Sequence, residues 1–168
     1  LYAAIKACPV NGGKVKSYGV DIRDAGAVDA MVEDIFQSGP LTDLVNNAAG
    51  TFEAPFLDVS PKGQDALVRE NFTSVASFVR ATVPLMTDGG SVVNITSIEA
   101  HRAGPGYAVY SAMKAAVANL TKSLALELGE RRIRVNCVAP DVIPTPGTGD
   151  IDAPKFTTEI GPYDEFCA

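Results

Sequence analysis

Three short apolar runs constrain this chain more than anything else in it. They are Leu41 to Val45, Ser91 to Ile95 and Ile133 to Val138, with helix-period stretches between them. Runs of five or six residues rich in valine and isoleucine read as strands buried in a sheet. Before the first run, Val28, Met31, Val32, Ile35 and Phe36 fall at i, i+3, i+4, i+7 and i+8, one face of a helix. Asp24 is placed to cap that helix, and Ser38-Gly39-Pro40 to stop it. Ser60-Pro61 starts a second helix, expected to continue to about Met86, through Asn71 and past Pro84. Tyr107 to Leu128 reads as one long helix ended by Gly129. Lys14 to Val20 alternates loosely and is expected to form a further strand. Leu1 to Cys8 reads as the last turns of a helix, and Asn11-Gly12-Gly13 as a turn.

The resulting order is α-β-α-β-α-β-α-β, with short strands, amphipathic helices and brief connections. That order predicts an α/β fold: a doubly wound parallel sheet with helices on both faces, in three layers. A single domain over residues 1–168 is the economical division. In such sheets ligands bind beyond the carboxyl ends of the strands. The polar residues that stand out lie at those ends: Asp21, Asn46 and Asn47, Thr96 and Ser97, Asp141.

Composition removes several classes of function. The net charge is −6 and the sequence pI near 4.7, which argues against nucleic acid or an anionic membrane surface as the main partner. No apolar run is long enough to span a membrane, and no signal peptide is visible at Leu1. Cys8, Cys137 and Cys167 are odd in number and far apart, as in a reduced, cytoplasmic protein rather than a disulfide framework. His101 is the only histidine, so neither a histidine metal site nor a serine–histidine triad is expected.

The long helix carries the chemistry. Tyr110 and Lys114 stand four apart near its start and share a face. A phenol beside an ammonium makes a proton donor that works near neutral pH, because the ammonium favours the phenolate. Read alone, the pair is better taken as a surface tyrosine and a solvated lysine. Tyr107 is a rival donor, but its i+4 residue is Ser111.

Five further motifs change that reading. Asp21-Ile22 ends one expected strand, and Asn46-Asn47-Ala48-Ala49-Gly50 follows the next. Asn71 sits mid-helix in Glu70-Asn71-Phe72, and Ser97 lies thirteen residues before Tyr110 (110 − 97). Arg132-Ile133-Arg134-Val135-Asn136 is followed by Pro140. In this order they resemble the short-chain dehydrogenase/reductase family, over about Asp21 to Pro146. The resemblance implies a Rossmann-like fold and an NAD- or NADP-dependent oxidoreductase interconverting a secondary alcohol and a ketone. It implies Asn71, Ser97, Tyr110 and Lys114 as the catalytic set. Tyr110 would exchange the proton, Ser97 would hold the substrate oxygen, and Asn71 would position a water leading to Lys114. Lys114 would also hold the cofactor ribose. Asp21 and Ile22 would contact adenine, with Asn47, Ala48, Ala49 and Pro140 completing the cofactor contacts. Asn46 is read as a brace between strands. Asp141 stands where the family usually has glycine.

Other expectations follow from the same residues. The double alanine also resembles some dienoyl reductases, so an enoyl or dienoyl thioester reductase is an alternative. A non-catalytic nucleotide-binding or oligomerising protein is another. Ala112, Ala116, Val117, Leu120, Leu124 and Leu128 line one broad side of the long helix, with small alanines around it. In the family such a second face pairs with a neighbouring subunit, giving a homodimer or homotetramer. Nothing reads Gly-x-x-x-Gly-x-Gly, so the chain is expected to be an internal portion of a longer enzyme. The substrate would be a small alcohol or ketone, and no metal is expected.

Overall fold

The computed structural model describes residues 15–143. Strands β1 (Asp43–Asn46), β2 (Gly90–Ile95) and β3 (Ile133–Val138) form a parallel sheet in the order β1-β2-β3. Parallel neighbours need long crossovers. Helices α2 (Pro61–Val68) and α3 (Ser74–Thr82) lie between β1 and β2, and α4 (Ala108–Glu127) between β2 and β3. Helix α1 (Ala25–Phe36) precedes β1 and packs on α3.

Local chemistry sets the helix ends. Asp24 Oδ1 accepts from the Ala27 N–H at 3.1 Å, and Ser60 Oγ accepts from the Gly63 N–H at 3.1 Å, with Pro61 at the first position of α2. Each side chain satisfies a donor that the helix cannot. A short 3-10 turn at Phe56–Asp58 lies in the connection from β1 to α2.

Alternation along the strands sorts the core. Val92, Ile133 and Val135 face the helices and are buried with Val79, Val83 and Met86, while Leu44 packs against them. Burying each such side chain contributes roughly 1.5–3 kcal/mol. A register slip of one residue would turn Arg134 and Asn136 into that core in place of Ile133 and Val135, so the pairing of Val92 with Val135 is strongly specified. The opposite face is less covered: Val45 is 62% and Val138 52% exposed. The expected second helical layer is therefore not among the described residues.

Three expectations need correction. Val15 to Val20 forms no strand. Lys16 and Tyr18 instead bond Asp34 on α1, and no described strand lies alongside to complete a ladder. The helix from Ser60 is not continuous: a π-helical segment, Arg69–Thr73, separates α2 from α3, and a 3-10 turn follows at Val83–Leu85. The sheet-facing stripe of α4 is only partly the apolar side: Val117 is buried and Leu124 and Leu128 pack on the core, but polar residues share the stripe with them. Lys114, Val117, Ala118 and Thr121 are buried, whereas Ala112 is exposed and Ala116 and Leu120 are half-buried. Apolar spacing misleads here because two of the buried positions are polar residues with partners on the strand. The expected helix at Leu1 to Cys8 and the turn after it lie outside the described residues.

Candidate active site

Lys114 is the centre of the site. It is 4% exposed, and its Nζ donates to the Ile95 carbonyl at 3.0 Å, at the carboxyl end of β2. Burial pushes its pKa below the ordinary lysine value. Its Nζ lies 5.5 Å from the centroid of the Tyr110 ring, one helical turn earlier and within cation–π range. Tyr110 is half-buried. Two residues beyond Ile95, Ser97 is 8% exposed, and its Oγ accepts from the Glu99 N–H at 3.2 Å, capping the turn Ile98–Ala100. That turn packs against α4. Lys114, Tyr110 and Ser97 thus meet around one strand end, although the serine and the lysine come from different elements.

Asn71 sits at the middle of the π-helical segment and is 1% exposed. Its Nδ2 donates to the Leu67 carbonyl at 2.9 Å and to the Gly50 carbonyl at 2.7 Å. An amide that takes a carbonyl of its own helix competes with the main-chain ladder, which accounts for the widened turn there. Asn71 Oδ1 is buried without a partner, so one acceptor remains open beside α4, against which the segment packs. The bond to Gly50 fastens the turn after β1 to this helix. Glu70 lies close to Gly50: a Cβ there would stand 2.1 Å from Glu70 Oε2, so a larger residue would have to push the Glu70 side chain aside.

The residues expected to meet adenine also gather. Val20, Asp21, Ile22, Arg23, Ala49 and Glu70 line a cleft of about 300 Å³, the lower end of the range of small-molecule sites. Arg23 grips Asp21 through Nε at 2.9 Å and Nη2 at 2.8 Å, and reaches Glu70 with Nη1 at 3.1 Å. These bonds, the side-chain pair first, hold the Asp21 pKa down at about 2. Asp21 thus stays ionised and keeps lone pairs for a further donor. Asn47, Ala48 and Ala49 are exposed along the turn. Pro140 is half-buried, and its carbonyl accepts from the Ile98 N–H at 3.0 Å, joining the loops after β2 and β3.

The rival residues fall elsewhere. Burial, and then the bond to Glu53 Oε2 at 3.2 Å, raise the Tyr107 pKa, the wrong direction for a donor near neutral pH. His101 is exposed. Glu99 is taken by Arg102 at 2.6 Å, which also lies 3.6 Å from Asp141. Asn46 braces the strands as expected: its Nδ2 donates to Asn94 Oδ1 at 2.8 Å. Asn94 itself carries no motif. Its signal is a lone amide at an inward position of the run Ser91 to Ile95.

Comparison with known proteins places the chain in a family. Residues 4–162 match a family model described as enoyl-(acyl carrier protein) reductase. The 3-oxoacyl-acyl-carrier-protein reductase FabG of Thermotoga maritima is 37% identical over 139 residues, covering 81% of this chain and 56% of the relative. A carveol dehydrogenase from Mycobacterium avium, solved with NAD, superposes with a TM-score of 0.69 at 33% identity, covering 72% of this chain and 46% of that one. A gluconate 5-dehydrogenase from Burkholderia cenocepacia, solved with NADP and tartrate, superposes at 0.72 and 30% identity, covering 75% and 51%. The chain spans about half the length of the curated relatives it matches.

Proposed function

The chain belongs to the short-chain dehydrogenase/reductase family, and from that premise we propose that it is part of an NAD- or NADP-dependent enzyme interconverting a secondary alcohol and a ketone. The observation that carries this reading is the buried Lys114 Nζ, bonded at the end of β2 and 5.5 Å from the Tyr110 ring. A lysine buried with a single carbonyl partner, beside a phenol, is costly as structure and useful as chemistry.

The residues would act as follows. The nicotinamide supplies the hydride. Tyr110 gives its proton to the carbonyl oxygen in reduction and takes it back in oxidation. Ser97 Oγ–H holds that oxygen as charge develops on it. Lys114 sets its ammonium beside the Tyr110 ring and has two N–H donors beyond the one on Ile95 O, which suit ribose hydroxyls. The open Asn71 Oδ1 suits a water on the path by which the proton returns. Asp21 accepts from the adenine amino group, Ile22 N–H donates to the ring, and Asn47, Ala48, Ala49 and Pro140 line the remaining contacts. The fit rests on the 300 Å³ cleft at Asp21, Ile22 and Ala49.

A second reading is favoured by one observation, the family model's description as an enoyl reductase. Carbonyl-dependent and enoyl-thioester-dependent oxidation of NADH and NADPH, measured side by side, separates the two. Turnover of ketones alone supports the first reading; turnover of enoyl thioesters alone replaces it. A cytoplasmic location and assembly as a homodimer or homotetramer belong to the same proposal.

A further inference from the structure

The site's proton donor and its lysine ride on α4, so the rotation and height of α4 over the sheet set where they stand. Two polar contacts mount that helix on β2. Lys114 Nζ takes the Ile95 carbonyl at 3.0 Å. Thr121, seven residues further along α4, accepts from Asn94 Nδ2 at 2.9 Å. Seven residues are close to two full turns, so both side chains look toward the sheet and lie about 10 Å apart along the axis. Two directional contacts on one strand fix rotation and slide more sharply than the non-directional packing of Val117, Leu124 and Leu128 against the core does.

Asn94 does more than hold a helix. It is 0% exposed, and each end of its amide is used: Nδ2 donates to Thr121, while Oδ1 accepts from Asn46 Nδ2 at 2.8 Å. Asn46 is the last residue of β1, directly before the Asn47-to-Gly50 turn. Thr121 Oγ1 in turn donates to the Val117 carbonyl at 2.8 Å, which orients it as an acceptor for Asn94. Along this buried chain each link joins one donor to one acceptor, so Asn46, Asn94 and Thr121 satisfy one another without water. Apolar side chains of similar volume would fill the space without choosing an orientation.

We propose that Asn94 is a positioning residue. It couples the turn after β1 to the helix bearing Tyr110 and Lys114, with Thr121 as the arm that sets the helix. The inference rests on the catalytic reading of Tyr110 and Lys114 for its consequence, and on the hydrogen bonds alone for its geometry.

Thr121→Val removes the acceptor and keeps the volume; Thr121→Ser keeps the hydroxyl. Two readouts are taken on the full chain. Nitrogen NMR of the lysine side chains follows the titration of Lys114 with no need of activity. Steady-state kinetics with NADH or NADPH and a ketone give kcat, KM and the pH profile. The expected result is that Thr121→Val moves the Lys114 titration toward the ordinary lysine value, lowers kcat at least tenfold and shifts the pH profile. Thr121→Ser should stay within about threefold of the parent. An unmoved Lys114 titration in folded Thr121→Val, or equal damage in the serine variant, overturns the inference. If Thr121→Val does not fold, Thr121→Ala against Thr121→Ser makes the same comparison: a Lys114 titration moved in alanine and kept in serine supports the inference, and any other pattern overturns it. A shifted Lys114 in a chain whose parent turns over no ketone would leave the positioning role standing and sink the proposed reaction instead.

Discussion

Lys114 takes a positive charge to a place where it is 4% exposed, with the Ile95 carbonyl as its partner. Its lowered pKa has a consequence for stability whose sign follows from linkage. Between the lowered native value and the unfolded value of about 10.4, the unfolded chain binds more protons than the native one. Stability therefore rises with pH across that window, and below it the cost of the buried charge is fully present. Lys114→Met should flatten that rise in urea melts taken across alkaline pH. A slope unchanged by the substitution would mean that the ammonium is not desolvated. Asp21 behaves oppositely. Its pKa is held at about 2 by Arg23, so the stability it contributes is present above the ordinary carboxylate range and is lost as pH falls toward 2. Arg23→Ala should remove that acid limb; an unchanged acid melt would count against the pairing.

Elements differ in how much of them can be read from residues alone. The start of α2 follows from a local signal, a Ser-Pro cap that needs no partner, and β3 follows from its run of Ile and Val because β2 lies beside it. The Val15-to-Val20 segment has the alternation of a strand, but a strand exists only where another lies beside it. The break at Asn71 is legible only as poor helix propensity; the amide's bond to the Leu67 carbonyl accompanies it, and its second bond, to Gly50, is a contact across 21 residues. The buried face of α4 eludes periodicity because Lys114 and Thr121 are polar, and their partners, Ile95 O and Asn94, lie on another element. The candidate site residues are legible in one dimension through the family resemblance that the Ser97–Tyr110 offset carries, while Asn94, the amide between Asn46 and Thr121, carries no motif. Between α3 and β2, Gly89 has φ +87°, and a Cβ there would come within 2.8 Å of the Arg132 carbonyl. Gly89→Ala should destabilise by roughly 1–3 kcal/mol in denaturant melts. A loss within a few tenths of a kcal/mol would show that the turn can relax.

At the scale of the molecule, one face of the sheet is packed by α3 and α4 and the other presents Val45 and Val138 to solvent. On the outer side of α4, Leu120 is half-buried and Leu126 is 85% exposed. Apolar surface of this kind is what association covers. Sedimentation is expected to find a dimer or tetramer, and a strict monomer across concentrations would contradict it. None of this assembly alters the central claim, which concerns one phenol and one buried ammonium. That claim is tested most directly by Tyr110→Phe, with turnover followed by nicotinamide absorbance and cofactor binding by nicotinamide fluorescence. The predicted result is a loss of turnover of roughly 10²–10⁴-fold, the usual worth of a positioned proton donor, with cofactor affinity within about threefold of the parent. A phenylalanine variant that turns over ketone at the parent's rate would contradict it.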